Sequence, residues 1–315
     1  MGKEGSEWQR TWSAVLGHEN AGVVVVVGEG VTGLKPGDRV AVEPIHSCLQ
    51  FGGSCPWCRV GKYQLCQGGL THVGMPLTRM LPGGFGEFSA VHESRFFPLP
   101  AHLSFEDGAL LDILAVAVHA VHIGRPGIGI SAAVVGCGVL GLDMIQCLCA
   151  HGVRDVVAVA RYPLQAAAAR ELGATEVVLA DGETDPVRQV LELTGGRGVD
   201  QVYECVGGET SAVAESLAMC ATGGSVIMLG GASTPKPIDL QAMLLKEANL
   251  LACNSYATEG TRREFAIALQ LLSAGQVRHD TLVTQRFAPR EYQRALAAAM
   301  ARGEHGVIKA VFVRA

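Results

Sequence analysis

Residues 131–142 read SAAVVGCGVLGL. Ser131 to Val135 are small and β-branched and suit a buried strand. From Val139 the chain suits a helix to Ala150, with Gly152 placed to cap its end. Between them stands Gly136-Cys137-Gly138-Val139-Leu140-Gly141, a G-x-G-x-x-G loop. The first glycine permits a tight turn, the second lets the backbone approach a pyrophosphate, and the third lets helix pack on strand. The helix N-terminus adds N–H donors and partial positive charge. A glycine-rich packing turn is the plain alternative; the strand–turn–helix context favours dinucleotide binding.

Downstream, strands and helices alternate. Val156 to Ala160 is a strand, Pro163 opens a helix that Gly173 ends, and Asp185-Pro186 opens another. Glu176 to Leu179, Val202 to Val206 and Ser225 to Leu229 are further strands, and a helix runs through Phe265 and Leu272. Repeated βα units predict a parallel, doubly wound sheet of the α/β class. Cys205, Val206, Leu229 and Gly230, at two of its strand ends, join the glycine loop as candidate cofactor contacts. At the end of the second strand an acid would bind a ribose 2′-hydroxyl; here Ala160 takes that place and Arg161 follows, which favours NADP over NAD. Stacking on adenine or a solvent-facing role is the alternative for Arg161.

Upstream the pattern is different. Gly22 to Gly28, GVVVVVG, is a β-branched run fit for a buried strand, and Phe85 to Val91 alternates towards another. Cys48, Cys55, Cys58 and Cys66 give C-x6-C-x2-C-x7-C, and four thiolates on one loop can surround a structural zinc. Incidental buried cysteines are the alternative. In Gly17-His18-Glu19-Asn20 an imidazole and a carboxylate leave one turn and can serve a metal. Asp112 lies in the apolar stretch ALLDILAVAVHAV; a buried carboxylate needs a partner, which a metal or a helix-capping role would supply.

The chain has 315 residues, too many for one ordinary core, and 49% are hydrophobic. With 17% charged residues and a formal net charge of -5 there is no basic footprint for nucleic acid or for a membrane surface. Asp112, His119 and Asp143 interrupt the apolar stretches, so no transmembrane helix is expected, and MGKEGSEWQRTW has no signal-peptide core. The cytoplasm is the expected compartment. There a tight group among the ten cysteines reads as a metal site before disulfides.

Taken together, VLGHENAGVVVVVGEGVTGLKPGDRVAVEP, SCPWCRVGKYQLC, GGFGEF, AVVGCGVLGL, ARELGA and GGSVIMLGG resemble the zinc-containing medium-chain dehydrogenase/reductase family, in family order over nearly the whole chain. The carboxylate ahead of LAVAVHAV is closer to the polyol and threonine dehydrogenase branch. The resemblance implies a mainly β GroES-like catalytic domain over 1–114, a Rossmann domain over 115–255 and a return to the catalytic domain over 256–315. It implies zinc, structural and catalytic, and hydride transfer between NAD(P) and a small-molecule alcohol, polyol or ketone, in a homodimer or homotetramer. Residue by residue, His18 matches the catalytic-zinc histidine, Glu19 its neighbouring glutamate, and Asp112 the third carboxylate. Cys55, Cys58 and Cys66 match three structural-zinc cysteines. Two departures stand out. The first structural cysteine would fall at Gly52, and Cys48 lies four residues earlier. The family's catalytic cysteine and its relay hydroxyl lie upstream of His18, where only seventeen residues precede it and none is cysteine. The sequence thus reads as a member lacking its N-terminal strands. Two rivals follow: an NAD(P)-binding protein with impaired catalysis, and a zinc-independent quinone or enone reductase.

Overall fold

The computed structural model describes residues 15–75 and 81–314. The chain divides into two compact units, one holding residues 1–115 and Tyr256–Ala274, the other Val116–Ser255 and Gly275–Ala315.

In the first unit, β1 (Asn20–Val23), β2 (Arg39–Val42) and β5 (Phe96–Pro98) form a three-stranded antiparallel sheet in the order β1-β2-β5, while β3 (Ile45–His46) pairs with β4 (Thr71–His72). A short helix α1 (Pro56–Arg59) lies in the cysteine loop, and α2 (Phe105–Gly124) leaves this unit. By length and composition α2 could cross a membrane, but Leu110, Leu111 and Leu114 are fully buried in protein.

Two expected strands differ. The GVVVVVG run stays in the sheet only to Val23; Val24 then exchanges backbone hydrogen bonds with Gly37 and Asp38, and Val25 and Val26 are exposed. β-Branching favours extended backbone, but a ladder partner must also be present. Phe85 to Val91 forms no strand: Phe85 and Phe88 are exposed, and the glycines around them turn the chain. The expected loss of opening strands and of the upstream cysteine concerns mainly residues 1–14, outside the described residues.

The second unit follows the sequence closely. Strands β6 (Ser131–Val135), β7 (Asp155–Ala160), β8 (Glu176–Leu179), β9 (Val199–Glu204), β10 (Cys220–Met228) and β11 (Asn249–Ala252) make one parallel sheet. Its order, β11-β10-β9-β6-β7-β8, reverses direction at β6 and β9, the switch point where such sheets place ligands. Helices α3 (Val139–His151), α4 (Pro163–Glu171), α5 (Pro186–Leu193), α6 (Ala212–Met219) and α7 (Leu240–Lys246) alternate with the strands. Gly152 closes α3 at a φ of 105°, a value suited to glycine, and Asp185 caps α5 by accepting from the Val187 and Arg188 N–H groups. Val135, Val157, Val178, Val202 and Val226 belong to the buried core of this sheet.

The chain then makes β12 (Thr258–Glu259), β13 (Arg262–Arg263) and α8 (Glu264–Ser273) in the first unit. A buried polar cluster ties them in. Glu43 accepts from Arg95 at 2.7 Å and from the Tyr63 hydroxyl at 2.5 Å, pairs with Arg263, and Tyr63 also donates to Ala257 O. Strands β14 (Val283–Phe287) and β15 (Lys309–Phe312), with α9 (Tyr292–Met300) and α10 (Arg302–His305) between them, complete the chain. These last residues group with the second unit, where the sequence reading set them with the first. Arg278 N–H donates to Gln146 Oε1 at 2.9 Å, and Gln146 Nε2 donates back to Arg278 O at 3.1 Å.

Candidate active site and metal centres

The sulfurs of Cys48, Cys55, Cys58 and Cys66 all lie within 4.8 Å of one another. Zinc–sulfur bonds of about 2.3 Å set tetrahedral sulfurs roughly 3.8 Å apart, so small side-chain rotations close these four on an ion. Cys48 reaches the group because residues Cys48–Phe51 wind into a 3₁₀ turn, capped by Ser47 and ended by Gly52 at a φ of 77°. Space for it comes from two more glycines: a Cβ on Gly53 or Gly68 would lie 2.9 Å from Cys48 Cβ. The N–H groups of Cys48 and Cys55 point at Cys66 Sγ and Cys48 Sγ, each at 3.3 Å. Backbone N–H bonds from Cys58 and Gln67 lower the Cys55 thiol to about 6, while burial pushes Cys58 up. A donor set of four thiolates fits zinc, in a closed site without an open position.

A second group forms where the turn before β1 meets α2. His18 Nε2 lies 3.6 Å from Asp112 Oδ2. Two ligands on one zinc, each about 2.1 Å from it, stand roughly 3.4 Å apart, so this pair also fits. Asp112 is in the middle of α2 rather than at its cap. Its other oxygen accepts from the hydroxyl of fully buried Tyr256 at 2.5 Å. Burial and the Asp112 carboxylate both push the Tyr256 phenol up, so it stays protonated and donates. Among the described residues, the ligand atoms of His18, Glu19 and Asp112 do not all lie within 4.8 Å of one another. The ring centroid of His72 is 6.2 Å from that of His18. Burial, and the charges of His18, His46 and Arg95, lower the His72 pKa to about 4.

In the second unit the glycine loop has the geometry its sequence implies. Gly136 has a φ of 95°, and a Cβ there would lie 2.6 Å from Val206 Cγ2. A Cβ on Gly138 would meet nothing within 4 Å, the open side a ligand needs. A Cβ on Gly141 would lie 1.8 Å from Gly136 O, so only glycine lets α3 sit this close. Gly138 caps α3, Val139 and Leu140 begin it, and its first turn carries no acid to repel phosphate. The Cys137 thiol is buried and raised to about 12 by that burial; it packs against Val159 O. Ala160 ends β7 fully buried, and Arg161 follows with its guanidinium 5.5 Å from the Tyr162 ring.

Cys205, Val206, Leu229 and Gly230 come together around a residue the sequence reading missed. Buried Glu204 accepts from the Val206 and Gly207 N–H groups at 2.7 and 2.8 Å, while its carbonyl accepts from Leu229 and Gly230. It was findable, being a lone acid within the apolar strand VYECV. Tyr256 was not, since it acts 144 residues away from Asp112.

Comparison with known proteins agrees with these features. The family model described as zinc-binding dehydrogenase matches residues 139–274, and that of the alcohol dehydrogenase GroES-like domain matches residues 2–101. The chain is 34% identical to (R,R)-butanediol dehydrogenase of Bacillus subtilis, over 88% of this chain and 74% of that one. It is 31% identical to L-threonine 3-dehydrogenase of Bacillus licheniformis, over 93% and 81%. Among solved structures, a zinc-binding dehydrogenase of Sinorhizobium meliloti bound to NADP superposes with a TM-score of 0.82 at 28% identity, covering 96% of this chain and 84% of that one. The chain therefore belongs to the zinc-containing medium-chain dehydrogenase/reductase family, with a GroES-like domain and a Rossmann domain.

Proposed function

We propose that this chain transfers a hydride between NAD(P) and a secondary alcohol or polyol, or the corresponding ketone, at a zinc held by His18 and Asp112. The observation that carries this reading is the 3.6 Å pairing of His18 with an Asp112 that Tyr256 fixes from its other side. When bound there, zinc supplies a Lewis acid that polarises the substrate oxygen and lowers the alcohol's pKa. The protein's own part is to hold that pair rigid. Glu19, next to His18, serves as a further ligand or as a partner to one. The loop from Gly136 to Gly141, with Cys205, Val206, Leu229 and Gly230 at neighbouring strand ends, takes the dinucleotide. Cys48, Cys55, Cys58 and Cys66 hold a structural zinc.

Within this reading NADP(H) is preferred. Ala160 offers no acid to a ribose hydroxyl, and the Arg161 guanidinium suits a 2′-phosphate. The homodimer or homotetramer is supported by β11, an edge strand beside an α7 that exposes Leu240, Leu244 and Leu245. The ten free thiols suit a reducing compartment such as the cytoplasm.

The test is a screen of secondary alcohols, polyols and ketones with both cofactors. Turnover that His18→Ala lowers about a hundredfold or more, with cofactor binding kept, is the expected result. Cofactor binding without turnover would favour the catalytically impaired alternative. Zinc-free turnover of a quinone or enone would favour the other.

A further inference from the structure

His72 on β4 presents a ring nitrogen that nothing described so far uses. Its Nδ1 is buried and has no hydrogen-bond partner. A buried polar atom left unpaired costs about 1–3 kcal/mol, and in a native protein it points to a water or an ion. The ring stands edge-on to His18, at 82°.

Backbone pairing and close backbone approach make this juxtaposition. β4 is registered on β3 by the pairing of Ile45 with His72. Beyond it the chain runs directly against the turn that carries His18: a Cβ on Gly74 or on Gly83 would lie 2.3 Å from Gly17 O. Gly84 and Phe85 donate their N–H groups to Gly17 O and Leu16 O at 2.8 and 3.0 Å. Gly74 and Gly83 thus let the chain touch the His18 turn through bare backbone.

We propose that His72 is a protein ligand, through Nδ1, to the same zinc that His18 and Asp112 hold. The proposal rests on the reading that those two residues bind zinc. Two imidazoles on one tetrahedral zinc have centroids roughly 5 Å apart, against 6.2 Å here. The ligand atoms of His18, His72 and Asp112 do not all lie within 4.8 Å of one another. Loading therefore includes side-chain movement that brings these ligand atoms together. The result is two imidazoles and one carboxylate with a position left open, the ligand count of a catalytic site. With no sulfur, this donor set is distinct from the four-cysteine site.

That difference supplies the test. Co²⁺ is titrated into metal-free protein for wild type, His18→Ala, His72→Ala and His72→Gln. The four-cysteine site shows a thiolate-to-metal charge-transfer band, which also reports that the fold is retained. The second site shows ligand-field absorption without that band. The expected result is a second Co²⁺ in wild type whose affinity falls tenfold or more in both His72 variants. X-ray absorption of the zinc form is expected to count fewer imidazoles, by the same amount, in His72→Ala as in His18→Ala. Loss of the second metal in His18→Ala, with unchanged affinity and imidazole count in the His72 variants, would overturn this inference and leave the proposed function standing. No second metal in wild type would overturn both.

Discussion

Gly138 and Gly141 are three residues apart and separate stability from binding. Replacing Gly141 with Ala drives a methyl group into Gly136 O, a backbone atom that cannot swing away. Gly141→Ala is expected to cost about 1–3 kcal/mol and to weaken cofactor binding with it. Gly138→Ala adds a methyl group in open space at a φ of -71°, which any residue adopts. Its stability should stay within about 0.5 kcal/mol of wild type, while NADPH affinity drops tenfold or more because the methyl group stands where the pyrophosphate approaches. Thermal melts and NADPH titration of both variants check the pair; equal losses of stability would show that the loop is a packing device. At the proposed zinc site, Tyr256→Phe removes the hydroxyl bonded to Asp112 and should lower zinc affinity about tenfold, read by chelator competition. An unchanged affinity would show that Asp112 is held by other groups. That His18, Asp112 and the four cysteines are candidates for metal binding was legible because each is odd for its local sequence. Tyr256 and His72 were not, because an aromatic in a loop and a histidine in a two-residue strand are ordinary until the fold sets them beside a distant partner.

At the scale of elements, legibility followed how local the determinants are. Each βα unit of the second domain carries its own punctuation, such as Asp185-Pro186 before α5 and Gly152 after α3, so its elements fall close to where the sequence sets them, although β9 ends at Glu204 rather than Val206 and β10 begins at Cys220 rather than Ser225. The valine run after Gly22 and the stretch from Phe85 to Val91 read as strands on propensity alone, and strand formation depends on a neighbour that propensity does not report. Asp200 shows such a neighbour contact. At the start of β9 it accepts from the N–H and hydroxyl of Ser131, at 2.8 and 2.7 Å, and so staples β9 to β6. Partial burial raises its pKa, but the Ser131 and Arg197 bonds outweigh this and leave it lowered. A carboxylate with a lowered folded-state pKa stabilises the fold above its unfolded pKa, and that contribution is lost as pH falls through the folded value. Asp200→Asn should therefore be less stable than wild type near neutrality, by about 1 kcal/mol given its exposure, and the gap should close under strong acid. Denaturant melts across the acid range check this; a gap that widens on acidification would show that the charge is not what holds the staple.

For the whole molecule, the two units differ in what holds them together. The second has a six-stranded sheet with a valine-rich core. Among the described residues the first has a three-stranded sheet, two two-stranded ladders and a long irregular loop, and its cysteine group spans residues Cys48 to Cys66 between β3 and β4. Binding at a site absent from the unfolded chain is folding free energy, so removing the proposed structural zinc should loosen the unit that owns it. The effect should be local. After chelation, hydrogen exchange should speed up about tenfold or more in peptides covering Arg39–Val42, Thr71–His72 and Phe96–Pro98. Peptides covering Ser131–Val135 and Val199–Glu204 should hold their protection. Cys58→Ser should reproduce the pattern without chelator, because burial leaves its sulfur well placed for a metal and poorly placed for water. His18→Ala serves as the control, since it removes a ligand of the proposed second zinc and leaves the four sulfurs intact. Faster exchange in both units would show that the cysteine site supports the whole chain. No change in either would show that the loop is held by its own backbone bonds, such as that from Gly53 N–H to Cys48 O at 2.8 Å, and that the four thiols lie together without a structural ion.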